Sequence, residues 1–242
     1  FNKIKILLFA YIKRLIFISK SNEYDLVYIF LWIFPLGGYF LENFFLKKNK
    51  IKSIYDMEDD LLIIQKSQVN KISYFFKKTS KFQFLIQNTD LTITSTLELE
   101  NKYKKIYPKK KFKYIQPTID HLKYFKKNQD SNDKYLTIGW TGTFSSKKYL
   151  DLLIKPLHEV VKKFKFKLLI IGNFEFEIDQ IDYEVIFWDK VREVEQLHKI
   201  DIGLYPVFDE PWSYGKSGLK ALQYMSNGIP LIASKTIVNQ RI

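Results

Sequence analysis

Residues 201–234, "DIGLYPVFDEPWSYGKSGLKALQYMSNGIPLIAS", decide the fold. "DIGLYPV" is a short apolar run of strand length, and a polar loop follows it. "GLKALQYM" then has helical spacing, and "PLIAS" is a second apolar run. A strand, a helix and a strand joined by short loops form a crossover unit, which belongs to a parallel sheet. Gly215, Ser217 and Gly218 mark the start of the helix, where free backbone N–H groups favour an anion. Leu219, Leu222 and Met225, three apart, predict its core-facing stripe. Lys216 and Lys220 are four apart and predict a basic face, where two like charges repel unless something negative lies between them.

Working outward, the same alternation recurs along the chain. "YLTIGWTGT" (135–143) is expected as a strand and turn, "SKKYLDLLIKPLHEVVKKF" (146–164) as a helix, and "FKLLIIG" (166–172) and "YEVIFW" (183–188) as strands. The first half has "DLVYIFLWI", "KSIYDMED" and "DLTITST" as strands between helical stretches. Such alternation predicts an α/β fold of doubly wound parallel sheets, because strands covered on both faces become continuous apolar runs. "KKNQDSNDK" (126–134) carries no apolar residue and is expected as a linker. It divides the chain into two similar α/β layers, 1–125 and 135–242.

The 242 residues are 46% apolar and carry a formal net charge of +13. Arginine occupies only positions 14, 192 and 241, so 36 of the 39 basic residues are lysine. Readers of nucleic-acid bases favour arginine, so this excess fits attraction to phosphates or anionic membranes; a biased composition explains it equally well. No recognition motif supports nucleic acid as a partner. The absence of cysteine excludes thiolate catalysis and zinc–thiolate sites and allows a reducing compartment. "LVYIFLWIFPLGGYFL" (26–41) is too short and too interrupted for a membrane-spanning helix. The chain starts at Phe1 without a signal-peptide layout and is expected to be a fragment.

"IGWTGT" places Gly139 and Gly142 at a strand's carboxyl end before a helix. Glycines there let a ligand approach the backbone, although a tight turn explains them too. Lys147 and Lys148 in the first helical turn oppose the helix dipole, a cost that an anion would offset. "YDMEDD" (55–60) is open to two readings, a carboxylate metal site or an acidic helix start capped by Asp56, and the second is preferred. His158 and His198 fall within amphipathic helices, far from His121. Neither GxSxG nor a P-loop occurs.

With these residues in place, the chain resembles the group 1 (family 4) glycosyltransferases of the GT-B fold, chiefly through "IGWTGTFSSKKYLDLL", "KLLIIG" and the opening stretch. The resemblance implies two Rossmann-like domains, the N-terminal one incomplete. It also implies a nucleotide-sugar donor on the second domain, a glycan or lipid-linked acceptor, and transfer with retention but without metal or cofactor. Gly139, Gly142 and Lys147 would meet the donor diphosphate. Thr143 stands where many relatives have arginine, leaving Lys216 and Lys220 to compensate. Gly215, beside Gly218, and Gln223 stand where many members have two glutamates, and Asp209 or Glu210 would supply the missing carboxylate. The expected setting is the cytoplasm, in surface polysaccharide or glycolipid synthesis; separately, the basic composition of the first half, with Lys3, Lys5, Lys13, Arg14 and Lys20, would fit peripheral contact with the inner face of an anionic membrane. A non-catalytic module that holds nucleotide or glycan is the alternative, kept open by Gly215.

Overall fold

The computed structural model describes residues 2–34, 38–48, 51–63, 79–126 and 135–242. The described residues form two compact units. One comprises 1–116 with 214–217, the other 117–213 with 218–242. Of the expected linker, 127–134 lie outside the described residues.

In the first unit α1 (Asn2–Ser19) leads into β1 (Leu26–Phe30), then α2 (Phe40–Lys48), β2 (Lys52–Met57), α3 (Thr79–Asn88), β3 (Leu91–Thr94), α4 (Leu97–Ile106) and β4 (Phe112–Tyr114). The four strands are parallel in the order β1-β2-β3-β4, with Leu26 opposite Lys52 and Ile54 opposite Leu91. α4 is well specified locally. The Thr96 hydroxyl accepts from the Leu99 N–H, Glu98 and Glu100 sit in the first turn, and Lys104 and Lys105 in the last, all matching the helix dipole. The core packs one strand face, with Val27, Ile29, Tyr55 and Met57, against Ile18, Phe45, Leu85 and Leu99 of the helices. The alternate residues of β1, Leu26, Tyr28 and Phe30, are exposed. A buried ion pair, Lys81 to Glu42 at 3.2 Å, joins α3 to α2.

"YDMEDD" opens no helix at Asp56, which lies within β2. Asp60 is buried and accepts from Lys102 and the Tyr103 hydroxyl, each at 2.5 Å. Among the described residues no cluster of three or more histidines and carboxylates could hold a metal ion.

The second unit contains β5 (Leu136–Thr141), α5 (Asp151–Val161), β6 (Phe166–Gly172), β7 (Tyr183–Phe187), α6 (Glu193–Leu197), β8 (Ile202–Tyr205), α7 (Leu219–Ser226) and β9 (Leu231–Ala233). Its parallel order is β7-β6-β5-β8-β9. From β5 the chain winds first to one side and then to the other. Both faces are filled: Leu168 and Ile170 belong to one core, Leu169 and Ile171 to another.

The predicted stripe of α7 is corrected. Leu219 and Met225 are exposed, and the helix buries Ala221 and Tyr224. The reason lies in β8: a Cβ on Gly203 would come within 2.7 Å of the Tyr224 ring, so the missing side chain makes room for it. The shared face of Lys216 and Lys220 is corrected too. α7 starts only at Leu219, after Gly218 in the left-handed region at φ 72°, so Lys216 precedes the helix.

Candidate functional site

In an open parallel sheet, ligands bind beyond the carboxyl ends of the strands where the winding order reverses. In the second unit that place lies between β5 and β8. The turn after β5 is tightly built. The Gly142 N–H donates to the Ile171 carbonyl, and a Cβ on Gly142 would fall 2.0 Å from the Trp140 ring. Thr143 caps the short 3-10 segment Phe144–Leu150 in a reciprocal box with Ser146, and the Phe144 N–H donates to Asn173 Oδ1. Lys147 and Lys148 thus sit in a 3-10 turn preceding α5, not in the α-helix expected from Ser146.

Three lysines of the second unit gather on this edge. Lys220 of α7 reaches back to the Thr141 carbonyl at 2.5 Å and lies 4.9 Å from the centre of the Trp140 ring. Lys147 donates to the Glu175 carbonyl at 2.7 Å, and Lys148 pairs with Glu210 at 3.0 Å. That pair ties the loop after β5 to the loop after β8. Asp209, beside it, is exposed. Gly139 lies deeper in β5, and Ile200 fills the space its side chain would take.

Gly215 and Lys216 belong to the first unit. The Thr96 hydroxyl donates to the Tyr214 carbonyl at 2.7 Å, and Lys216 pairs with Asp59 at 3.1 Å. A Cβ on Gly215 would lie 2.7 Å from the Asp60 backbone nitrogen, so the position admits nothing larger than glycine without a shift.

Gln223 sits in a network that sequence reasoning missed. Its amide donates to the Tyr124 hydroxyl at 2.9 Å and faces Glu193 Oε1 at 3.4 Å. Glu193 also accepts from Lys123 at 2.5 Å, the Tyr124 hydroxyl at 2.6 Å and the Trp188 indole at 3.1 Å. Burial pushes the Glu193 carboxyl up, but hydrogen bonds from Lys123, Tyr124 and Trp188 outweigh it and hold the group below the usual carboxylate range. A carboxylate therefore stands beside Gln223 after all, carried by another helix. The available signal was its place: Glu193 opens α6, just past the carboxyl end of β7. The histidines stay apart. His158 contacts the Asp179 carbonyl and His198 the Asn227 side chain, while His121 is exposed.

Two parallel α/β sheets, the second with a winding reversal at a glycine turn ringed by lysines, place the chain in the GT-B class of folds. Solved structures agree. The chain aligns with sucrose-phosphate synthase from Thermosynechococcus elongatus at TM-score 0.61 and 14% identity, covering 90% of this chain and 58% of that one. It aligns with the catalytic domain of starch synthase IV from Arabidopsis thaliana, bound to ADP and acarbose, at 0.61 and 11%, covering 96% and 61%. The pneumococcal O-GlcNAc transferase GtfA, in complex with UDP and GlcNAc, aligns at 0.58 and 11%, covering 92% and 44%. The chain thus spans between 44% and 61% of the length of these solved chains. Residues 135–241, a little under half of the chain, match the family described as Glycosyl transferases group 1. No curated protein sequence matches the chain.

Proposed function

We propose that the protein moves a sugar from a nucleotide-diphosphate-sugar donor to a glycan or lipid-linked acceptor, with the donor seated on the second unit. The observation that carries this reading is the gathering of Lys147, Lys148 and Lys220 around the Gly142–Thr143 turn, at the point of winding reversal. Lysine ammonium groups there would neutralise a diphosphate as charge builds on the leaving group, so catalysis would rest on positioning and electrostatics. Transfer with retention, needing neither metal nor cofactor, accords with the family resemblance.

Gly142 shapes the turn, Thr143 caps it, and Gly218 opens α7 beneath the donor, while Gly139, expected at the donor, lies within β5 where it makes room for Ile200. Gln223 and Glu193 together offer a ribose diol an amide donor and a charged acceptor. Asp209 and Glu210 in the loop after β8 are the carboxylates proposed to face the transferred sugar. The role expected of Lys216 moves to Lys148, since Lys216 is paired with Asp59 in the first unit. Cell-surface polysaccharide or glycolipid synthesis is the setting that fits such a transferase.

A non-catalytic donor-binding module is the second reading, favoured by Gly215, whose crowding against Asp60 excludes a carboxylate side chain at that position. Calorimetry with UDP, GDP and ADP, followed by a donor-hydrolysis assay, separates the two. Lys147→Ala and Lys220→Ala should each weaken nucleotide binding by roughly tenfold. Unchanged affinity in both overturns the phosphate assignment. Binding without hydrolysis or transfer for any donor and acceptor tried selects the non-catalytic module.

A further inference from the structure

α1 is apolar toward water as well as toward the core. Tyr11 and Ile18 anchor it to the core of the first unit. Its outward side is apolar: Ile6 is 66% exposed and Phe9 59%, and Ile12, Ile16 and Phe17 are close behind. Water-exposed helices carry their apolar residues inward, and a contiguous exposed stripe of this kind marks an interaction surface.

The charges select the partner. Asn2–Ser19 contains no acidic residue, Lys5 and Lys13 are exposed on the helix, and Lys20 is exposed just past its end. Lys13 lies 4.7 Å above the Phe9 ring, within the apolar surface. Cores of protein interfaces exclude lysine. At a lipid interface the lysine stem stays among apolar groups while the ammonium reaches up to phosphate, so apolar residues interleaved with lysines suit that surface. No described helix is long and apolar enough to cross a membrane, so the contact lies in the interface. A second basic group supports the same partner. Lys105 at the end of α4, with Lys109, Lys111 and Lys113 beside and within β4, is exposed. Lys20, Lys105, Lys109 and Lys111 all lie at the amino-terminal edge of the sheet. This edge is opposite to the carboxyl ends of the strands.

We infer that α1 and this lysine edge dock the first unit onto an anionic lipid surface. Co-sedimentation of the full chain with vesicles of phosphatidylglycerol and phosphatidylcholine, and with phosphatidylcholine alone, tests it. The protein should pellet with the anionic vesicles, be released by salt, and stay in solution with the neutral ones. Ile12→Asp with Ile16→Asp should lower binding more than tenfold, and Lys13→Glu with Lys20→Glu by roughly tenfold. Both pairs are exposed, and circular dichroism should report an unchanged fold. Failure to pellet, equal binding to neutral vesicles, or indifference to both variants overturns the inference. So does a dimer in light scattering that Ile12→Asp dissociates while vesicle binding is absent, which would assign the face to a second copy. Neither variant touches Lys147 or Lys220, so this test and the nucleotide test fail independently.

Discussion

β6 and β1, "FKLLIIG" and "LVYIF", are both predominantly apolar runs, yet they are buried differently. Leu168, Leu169, Ile170 and Ile171 in β6 are all inaccessible, because cores form on both faces of the second sheet. In β1 only Val27 and Ile29 are covered, and the residues between them face outward. A continuous apolar run therefore identifies a parallel strand in both units, but it does not say how many faces are covered. Coverage is decided by which helices fold back onto which face, and that is a property of the connections.

The largest effect that can break this contrast is in β6. Ile170→Ala removes a side chain with no exposed surface from the middle of a two-faced core, and chemical denaturation should show a loss of about 3–5 kcal/mol. A loss under about 1 kcal/mol would mean that the second sheet is packed no better than the first.

The strand positions, though not this contrast in coverage, were legible in residues 135–242. The strands of the second unit fall where apolar runs predict them, because buried parallel strands leave so plain a signal. α7 shows the limit. Its helical spacing was visible, but the choice of Ala221 and Tyr224 as the buried face depends on Gly203, in a different strand, leaving room for a ring. The candidate site divides in the same way. The glycine turn and Lys147 are local features and could be read directly. The place of Lys216 could not, since its partner Asp59 lies 157 residues away. Nor could the partners of Gln223, since Tyr124 and Glu193 are 99 and 30 residues from it.

The Glu193 network gives the second prediction, smaller and dependent on pH. Its carboxyl is held below the usual value of 4.5, so its contribution is complete above that value and is lost as the pH falls through the depressed folded value. Glu193→Gln should cost about 1–2 kcal/mol at neutral pH, discounted because Lys123 is partly exposed, and should flatten the acid limb of the stability profile. The same substitution should weaken nucleotide binding if Glu193 serves the ribose. An unchanged acid limb would remove Glu193 from the account of either property.

The smallest effect sharpens the contrast most. Phe30 is half exposed on the outward face of β1, at the strand's carboxyl end. Phe30→Ala removes an aromatic ring from a strand, which in a fully covered sheet would cost as much as Ile170→Ala. On an uncovered face only strand propensity and the partial contact with neighbouring residues are lost, so the cost should stay at or below about 1 kcal/mol. Hydrogen exchange read separately for β1 and β6 keeps the two units distinct in the measurement. A cost approaching that of Ile170→Ala would show that the outward face of the first sheet is covered in solution. The difference between the sheets would then lie in what covers them rather than in whether they are covered.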